Sequence, residues 1–381
     1  MAGYRAAGTG VQHLLKGLIA PYRRLHLGYL LRSEAAGLGD KNAAGIDVIP
    51  ALEPLPDVLE QAAHIGATVL LAHHHLAVLH LNTGAQAQHI GPQQGNARAT
   101  ATLVQEVQPL HQKADVQQLP PLVREIPELA LKIAEKYWPG PLTMIFPKSD
   151  MIPAATSGGL DTVAVRMPES PAARAIIDAC GFPLAAPSAN LSGSPSPTTA
   201  QHVMNDMNGR IPLIIDGGEC RCGVESTVLC FPAADRVRIL RPGGVTAEML
   251  SELCQADIDP AVTSEPPKGA KVMSPGMKYK HYSPKAEVFI VNAHGKQFGD
   301  WCMLHAADGT LALSADPVEH GMFRCFGRDT AEQAHRLFAL LREADDEGAK
   351  TIYVEMPSKE GIGLAVYNRL LRAAAFRVIE V

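Results

Sequence analysis

The spacing of hydrophobic positions changes along this chain of 381 residues, and each spacing predicts an element. Between residues 114 and 138, Leu, Val, Ile and Ala recur at steps of three and four, which predicts an amphipathic helix ended by Pro139 and Gly140. Short β-rich runs at 142–146 and 162–167 precede a helical pattern at 170–181. Further strands and helices alternate as far as residue 254. This alternation predicts an α/β fold.

A second region follows a segment that lacks any sustained period. Residues 256–285 are rich in Pro, Gly and Lys, as expected of a linker. Beyond them, predicted strands alternate with two predicted helices to the end of the chain, which indicates a small parallel α/β unit. The sequence therefore predicts an α/β domain over 114–255, a linker over 256–285 and a smaller domain over 286–381.

The first 113 residues form a compositionally anomalous segment. They hold nine of the fifteen histidines but none of the nine phenylalanines and none of the seven cysteines. The change near residue 114 is abrupt. Residues 1–113 are therefore treated apart from the α/β domain that follows.

Composition and charge narrow the class of protein. Hydrophobic residues make up 46% and charged residues 19% of the chain, the balance of a globular protein large enough for two domains. The net charge of -5 argues against a broad cationic surface for nucleic acid and favours a small substrate. The cysteines are odd in number and scattered along the chain, which favours a reducing compartment. No apolar run approaches the length of a membrane span, so we expect a cytoplasmic protein with no membrane partner.

Candidate chemistry lies where predicted strands end. Arg166 ends the strand at 162–167, and Arg241 ends another before a Pro-Gly turn, so both guanidinium groups are expected at the carboxyl edge of a sheet. The two guanidinium groups are interpreted either as bidentate donors to a carboxylate or as members of surface ion pairs. The loop 186–198 is rich in Ser, Asn and Gly and is interpreted either as a phosphate site or as a turn that caps a helix.

Metal and hydrolase sites are disfavoured by the spacing of their candidate residues. The adjacent His73, His74 and His75 cannot all point at one ion, and Cys220 and Cys222 have no second cysteine pair at zinc-site spacing. The G-x-S-x-G motif of hydrolases is also missing from the sequence. No protein side chain is predicted to ligate a metal.

Six motifs in order resemble one family. They are KYWPGPLT (136–143), DTVAVRMP (161–168), APSANLSGSPSPT (186–198), DGGECRCGVESTV (216–228), ILRPGGV (239–245) and SPGMKYKHYSPKA (274–286). Together they resemble the YrdC-type threonylcarbamoyl-adenylate synthases in their long, two-domain form, over residues 114–381. The resemblance implies a twisted YrdC-like α/β domain with a concave cavity and a smaller Rossmann-like C-terminal domain.

The resemblance also implies a reaction and a set of site residues. ATP, L-threonine and bicarbonate would give threonylcarbamoyl-AMP and pyrophosphate, with Mg²⁺ accompanying ATP and no side chain acting as nucleophile or base. The product would pass to the machinery that transfers threonylcarbamoyl to tRNA. By resemblance, threonine would be held by Arg166, Ser188 and Ser226, and ATP by Thr162, Asn190, Ser196, Arg241 and Tyr282.

The start of the chain departs from the family. A Pro-Thr-Glu-Thr-x-Tyr-Gly-Leu-Gly segment, a Lys-x-x-Arg-Pro pair and a strand ending in His-Ile-Ala-Asp are expected there, and residues 1–113 contain none of them. Our hypothesis is that this segment derives from another reading frame or a rearranged gene. The alternative function is then a catalytically impaired nucleotide- or RNA-binding module of the same fold.

Overall fold

The computed structural model describes residues 119–265 and 282–381, apart from residues 155, 158, 181, 182, 212 and 318. It also describes four short strands nearer the N-terminus, which are β1 (Asp47–Pro50), β2 (Thr68–Ala72), β3 (Val78–His80) and β4 (Leu103–Val104). Among these residues no helix is long and apolar enough to cross a bilayer.

The first unit contains two sheets. Its further strands are β5 (Leu142–Pro147), β6 (Thr162–Arg166), β7 (Leu184–Ala185), β8 (Leu213–Asp216), β9 (Thr227–Ala233), β10 (Arg236–Arg241) and β11 (Gln255–Ile258). Seven strands form a mixed sheet in the order β11-β10-β9-β5-β6-β4-β7, and four form a second sheet in the order β1-β8-β2-β3. Strands β1 to β4 of the anomalous N-terminal segment thus complete both sheets.

In the described part of the chain, four helices accompany these sheets: α1 (Glu128–Tyr137), α2 (Pro171–Cys180), α3 (Ala200–Met207) and α4 (Ala247–Ser251). Helix α1 buries Ile133 and Ala134 completely against the strands, in a core that includes Leu142 and Phe146 of β5. The predicted helix over 114–138 is wrong over residues 119–127, because α1 begins only after Pro127, and residues 114–118 lie outside the described residues. Pro120, Pro121 and Pro127 lack the N–H that a helix interior needs.

The second unit is a parallel sheet with helices, as predicted. Its strands are β12 (Glu287–Asn292), β13 (Thr310–Ser314), β14 (Phe323–Cys325), β15 (Thr351–Glu355) and β16 (Val378–Glu380), in the order β14-β13-β15-β12-β16. Every pair in it is parallel. Its helices are α5 (Gly295–His305), α6 (Thr330–Asp346) and α7 (Gly363–Ala373). Helix α5 and strands β13 and β14 have no counterpart among the predicted elements.

The boundary between the units lies later than predicted. Strand β11 pairs in parallel with β10, and the 3-10 turn Pro260–Val262 follows it, with Val262 fully buried. The linker predicted from residue 256 is therefore placed too early, because the first sheet continues to residue 258. The central part of the predicted linker, 266–281, lies outside the described residues.

Helix α6 contacts the first unit directly. Arg342 donates from Nη1 to Oδ1 of Asp206 at 3.1 Å and from Nη2 to Oδ2 at 2.7 Å. The backbone of Gly223, at φ +76°, lies so close to α6 that a Cβ there would be 2.1 Å from the carbonyl oxygen of Ala334. These contacts fix the second unit against helix α3 and the loop that follows β8.

Candidate active site

The site is built on one edge of the seven-stranded sheet. Register pairs Arg166 of β6 with Thr143 of β5, Thr143 with Val228 of β9, and Val228 with Arg241 of β10. This row crosses four adjacent strands, and β6 and β10 both end in it. The two arginines predicted to leave strand ends therefore emerge at the same edge.

Arg166 is buried with one nitrogen left over. Its side chain is 3% exposed, and Nε donates to the carbonyl of Gly140 at 3.0 Å. Its Nη1 is buried and has no hydrogen-bond partner among the described residues. Burial, reinforced by the positive charge of Arg241, lowers the pKa of Arg166 well below its ordinary value. An anionic ligand would relieve both conditions by supplying an acceptor and an opposite charge.

Ser226 contacts side chains of both β5 and β10 at this edge of the sheet. Its hydroxyl is 2.8 Å from the hydroxyl of Thr143 and accepts from Nη2 of Arg241 at 3.2 Å. Nε of Arg241 donates to the Ser226 carbonyl at 3.1 Å. Gly243 packs directly on this backbone, since a Cβ there would be 2.4 Å from the Glu225 carbonyl oxygen. Ser226 and Arg241 are therefore held in one rigid arrangement.

Glu225 connects the motif loop 186–198 to the second unit. Its Oε1 accepts from the Ser196 hydroxyl at 2.6 Å, and its Oε2 accepts from Nε of Arg369 at 2.7 Å. Burial alone would raise the pKa of Glu225, but the charges of Arg369 and Arg241 outweigh it and lower that pKa. Ser196, predicted as an ATP ligand, is thus fixed beside the arginines.

Tyr282 lies against the same arginines. Its side chain is buried, its ring centroid is 5.8 Å from Cζ of Arg369, and its ring packs on Phe338 at 5.5 Å. Burial, together with the negative charge of Glu225, raises the pKa of Tyr282. Its φ of +63° marks a tight reversal where the chain enters the second unit.

The loop 186–198 is only partly engaged. Nδ2 of Asn190 donates to the carbonyls of Leu191 and Ser194, both at 3.0 Å, while its buried Oδ1 has no partner among the described residues. Ser188 is exposed. The cap of helix α3 is Thr199, whose hydroxyl accepts from the amide of His202 at 3.2 Å. Capping is therefore done outside this loop, and the buried Oδ1 of Asn190 is left to accept from a ligand.

Thr162 lies apart from the other predicted ligands. It begins β6 opposite Pro147, whereas Arg166 ends that strand. At the rise of an extended chain the two Cα atoms are about 13 Å apart. The structure therefore brings Arg166, Ser226, Arg241, Ser196 and Tyr282 together but leaves Thr162 at the other end of the strand.

Three contributors were missed by sequence reasoning: Thr143, Glu225 and Arg369. Thr143 and Glu225 stand inside the motifs KYWPGPLT and DGGECRCGVESTV, so motif membership was a usable signal for both. Arg369 lies in a predicted helix with no motif around it. No three His, Cys, Asp or Glu side chains of the described residues converge as metal ligands, and His73, His74 and His75 lie outside those residues.

Two family models match most of the described residues. Residues 109–243 match the Sua5/YciO/YrdC family, described as telomere recombination, and residues 245–375 match the threonylcarbamoyl-AMP synthase C-terminal domain. The threonylcarbamoyl-AMP synthase of Pyrococcus abyssi is 42% identical over 287 residues, covering 70% of this chain and 80% of the relative. This chain belongs to the threonylcarbamoyl-AMP synthase family. The enzyme of that name from Bacillus subtilis is 40% identical over 284 residues, 70% of this chain and 79% of its own length.

A solved structure of the family is also similar. P. abyssi Sua5 complexed with L-threonine has a TM-score of 0.75 and 34% identity to this chain, and the match covers 88% of this chain and 99% of that one. The resemblance to the two-domain synthases and the α/β architecture are thus confirmed. Both units of the two-domain synthases are present in this chain.

Proposed function

We propose that this chain converts ATP, L-threonine and bicarbonate into threonylcarbamoyl-AMP and pyrophosphate. The observation that carries the proposal is the pairing of two arginines at one sheet edge, one of them buried with an unpartnered Nη1. Each charge-assisted bond from a guanidinium to a carboxylate or phosphate contributes about 1.5 to 3 kcal/mol. Family membership supplies the identity of the two anions.

In this proposal Arg166 holds the carboxylate of threonine, with Ser188 and Ser226 at the amino-acid end. The threonine amine attacks bicarbonate carbon and water is lost, which leaves N-carboxy-threonine. Its new carboxylate oxygen attacks the α-phosphorus of ATP, and the bond to pyrophosphate breaks. These residues orient the two reactants and compensate their charge, so the rate enhancement comes from proximity and electrostatic stabilisation.

Arg241, Ser196, Asn190 and Tyr282 are proposed to hold ATP, which enters with Mg²⁺ as part of the substrate. Support comes from the contacts that join Arg241 to Ser226 and Ser196 to Glu225 beside the Tyr282 ring. Thr162 is left out of this set because of its position on β6. The product would serve a transferase that places threonylcarbamoyl on tRNA, in the cytoplasm.

The test is pyrophosphate release by the full chain with ATP, Mg²⁺ and bicarbonate, with and without L-threonine. We expect release that depends on threonine. Arg166→Lys keeps the positive charge but cannot donate two parallel hydrogen bonds to a carboxylate. We therefore expect kcat/KM for threonine to fall by about tenfold or more. The matched control is Arg236→Lys at the start of β10, which changes a partly exposed pair with Asp257 at 3.1 Å.

Two results would contradict the proposal. Release that is equal with and without threonine would indicate simple ATP hydrolysis. ATP binding without any pyrophosphate release would favour the catalytically impaired binding module instead. The N-terminal departure from the family would then explain the loss of catalysis.

A further inference from the structure

Helix α7 is buried on every side, although its sequence carries charge. All eleven of its residues, Gly363–Ala373, are buried. One side packs on the sheet of the second unit, and a polar stripe of Asn368, Arg369 and Arg372 meets the first unit. Asn368 donates to the Val262 carbonyl at 2.7 Å, and Arg372 donates to the Ala261 carbonyl.

Arg369 reaches furthest into the candidate site. Its side chain is 0% exposed, its Nε donates to Glu225, and its Nη1 donates to the Pro242 carbonyl at 2.9 Å. Glu225 immediately precedes Ser226, and Pro242 immediately follows Arg241. One guanidinium therefore holds both segments that carry the predicted ligands. Its Nη2 is buried with no partner among the described residues.

The buried charges of this cluster do not balance. Arg369 and the partly buried Arg241 act on the buried carboxylate of Glu225, whereas buried Arg166 faces the positive charge of Arg241. Glu169, which also acts on Arg166, is exposed and paired with Arg221 at 3.0 Å. Unpaired buried charge is strongly unfavourable, so the cluster is arranged for an anionic ligand.

We propose that Arg369 is a positioning residue through which the C-terminal domain sets up the nucleotide site, by neutralising Glu225 and fixing Ser196 and the turn after Arg241. The proposal rests on the proposed function, because ATP is the ligand whose site is positioned. Without Arg369 the Glu225 carboxylate would stand unpaired near the phosphates and repel them. The loss of ATP affinity on removing Arg369 should therefore depend on the charge of Glu225. A purely structural role of Arg369 would not require this dependence.

The experiment measures ATP affinity by calorimetry on the full-length chain. We expect Arg369→Gln to weaken ATP binding by about tenfold or more, since one charge-assisted contact is lost and one repulsion is gained. Glu225→Gln in the same chain removes the repulsion, so the double variant should bind ATP more tightly than Arg369→Gln alone. Arg369→Lys, which keeps the charge, should bind between the wild type and Arg369→Gln.

The matched control is Arg377→Gln, which lies in the same domain in a more exposed pair with Glu287 at 2.6 Å; we expect wild-type affinity. Wild-type affinity in folded Arg369→Gln, or a double variant no better than the single one, would overturn the proposal. If Arg369→Gln does not fold, Arg369→Lys decides, and wild-type affinity in Arg369→Lys overturns the proposal. A wild-type chain that binds ATP but releases no pyrophosphate would refute the proposed function alone, whereas one that binds no ATP would refute both.

Discussion

Replacing Arg342 by Leu should destabilise the protein strongly, because it breaks a buried ion pair between the two units. The side chains of Arg342 and Asp206 are 11% and 10% exposed. Arg342 also donates from Nη2 to the Pro195 carbonyl at 2.5 Å. After the change, the hydrogen bond that remains to the Asp206 carboxylate among the described residues is that from the Leu191 amide, at 3.2 Å. A buried carboxylate left without its cation costs about 3 to 5 kcal/mol.

Thermal unfolding followed by circular dichroism measures this cost. At about 2 to 4 °C per kcal/mol for domains of this size, the first transition should fall by roughly 6 to 20 °C. The control is Arg377→Leu, which removes a more exposed pair with Glu287 at 2.6 Å, with side chains 33% and 64% exposed. Such pairs contribute about 1 kcal/mol or less, so its transition should move by only a few degrees.

The double variant Arg342→Leu with Asp206→Leu tests the reasoning further. Removing both charges leaves an apolar contact in place of an orphaned carboxylate, so part of the lost stability should return. A single variant that melts like the control would refute the argument. So would a double variant that melts no higher than Arg342→Leu, because the cost would then not come from the unpaired Asp206.

Three further predictions concern single positions. Gly243→Ala places a Cβ 2.4 Å from the Glu225 carbonyl oxygen and should reduce threonine-dependent pyrophosphate release, by about a hundredfold if Ser226 shifts by an ångström; Gly321→Ala, with no atom within 4 Å, should not. The folded pKa of Glu225 is lowered, so its ionised form stabilises the fold above the unfolded value and this contribution is lost as pH falls through the folded pKa. Glu225→Gln should therefore show a flatter acid limb when unfolding free energy is measured against pH, and an unchanged limb would contradict this. Burial, with a smaller effect of the Glu355 charge, raises the pKa of Cys302 to about 12, so only about one thiol in ten thousand is ionised at pH 8. Mass-mapped alkylation should modify partly exposed Cys325 in the folded protein and Cys302 only after unfolding; equal labelling of both would contradict the burial.

Buried strands could be predicted because their apolar residues are continuous. Strand β13 is fully buried but only five residues long, and nothing in its flanks distinguished it from a loop. Helix α5 was missed because Gly295 and Gly299 weaken it and Leu304 is 82% exposed, so its apolar face is blurred. The opposite error extended α1: Leu119 and Leu122 are buried, but in turns, and apolar spacing reports burial before it reports a helix.

The active-site edge was predictable to the extent that strand direction determines it. Arg166 and Arg241 each end a strand, and parallel strands that share a sheet end at the same edge. Thr162 entered the predicted ATP set through the family resemblance and not through this rule; it stands in the same motif as Arg166 but at the start of the strand. A motif records which residues occur together in sequence, whereas a five-residue strand separates its ends by more than the length of a side chain.

The contribution of α7 shows why the remaining part of the site could not be predicted. Asn368, Arg369 and Arg372 form the polar side of an amphipathic helix, a pattern that ordinarily indicates contact with solvent. The first unit takes the place of water here, and the carboxylate that meets Arg369 lies 144 residues away in the sequence. A helix whose polar side faces solvent and one whose polar side faces another unit have the same residue spacing, so only the charge of the surface opposite the helix distinguishes the two cases. The surface opposite α7 carries the negative charge of Glu225. The contact between Arg369 and Glu225 therefore both neutralises this carboxylate and joins the C-terminal unit to the site.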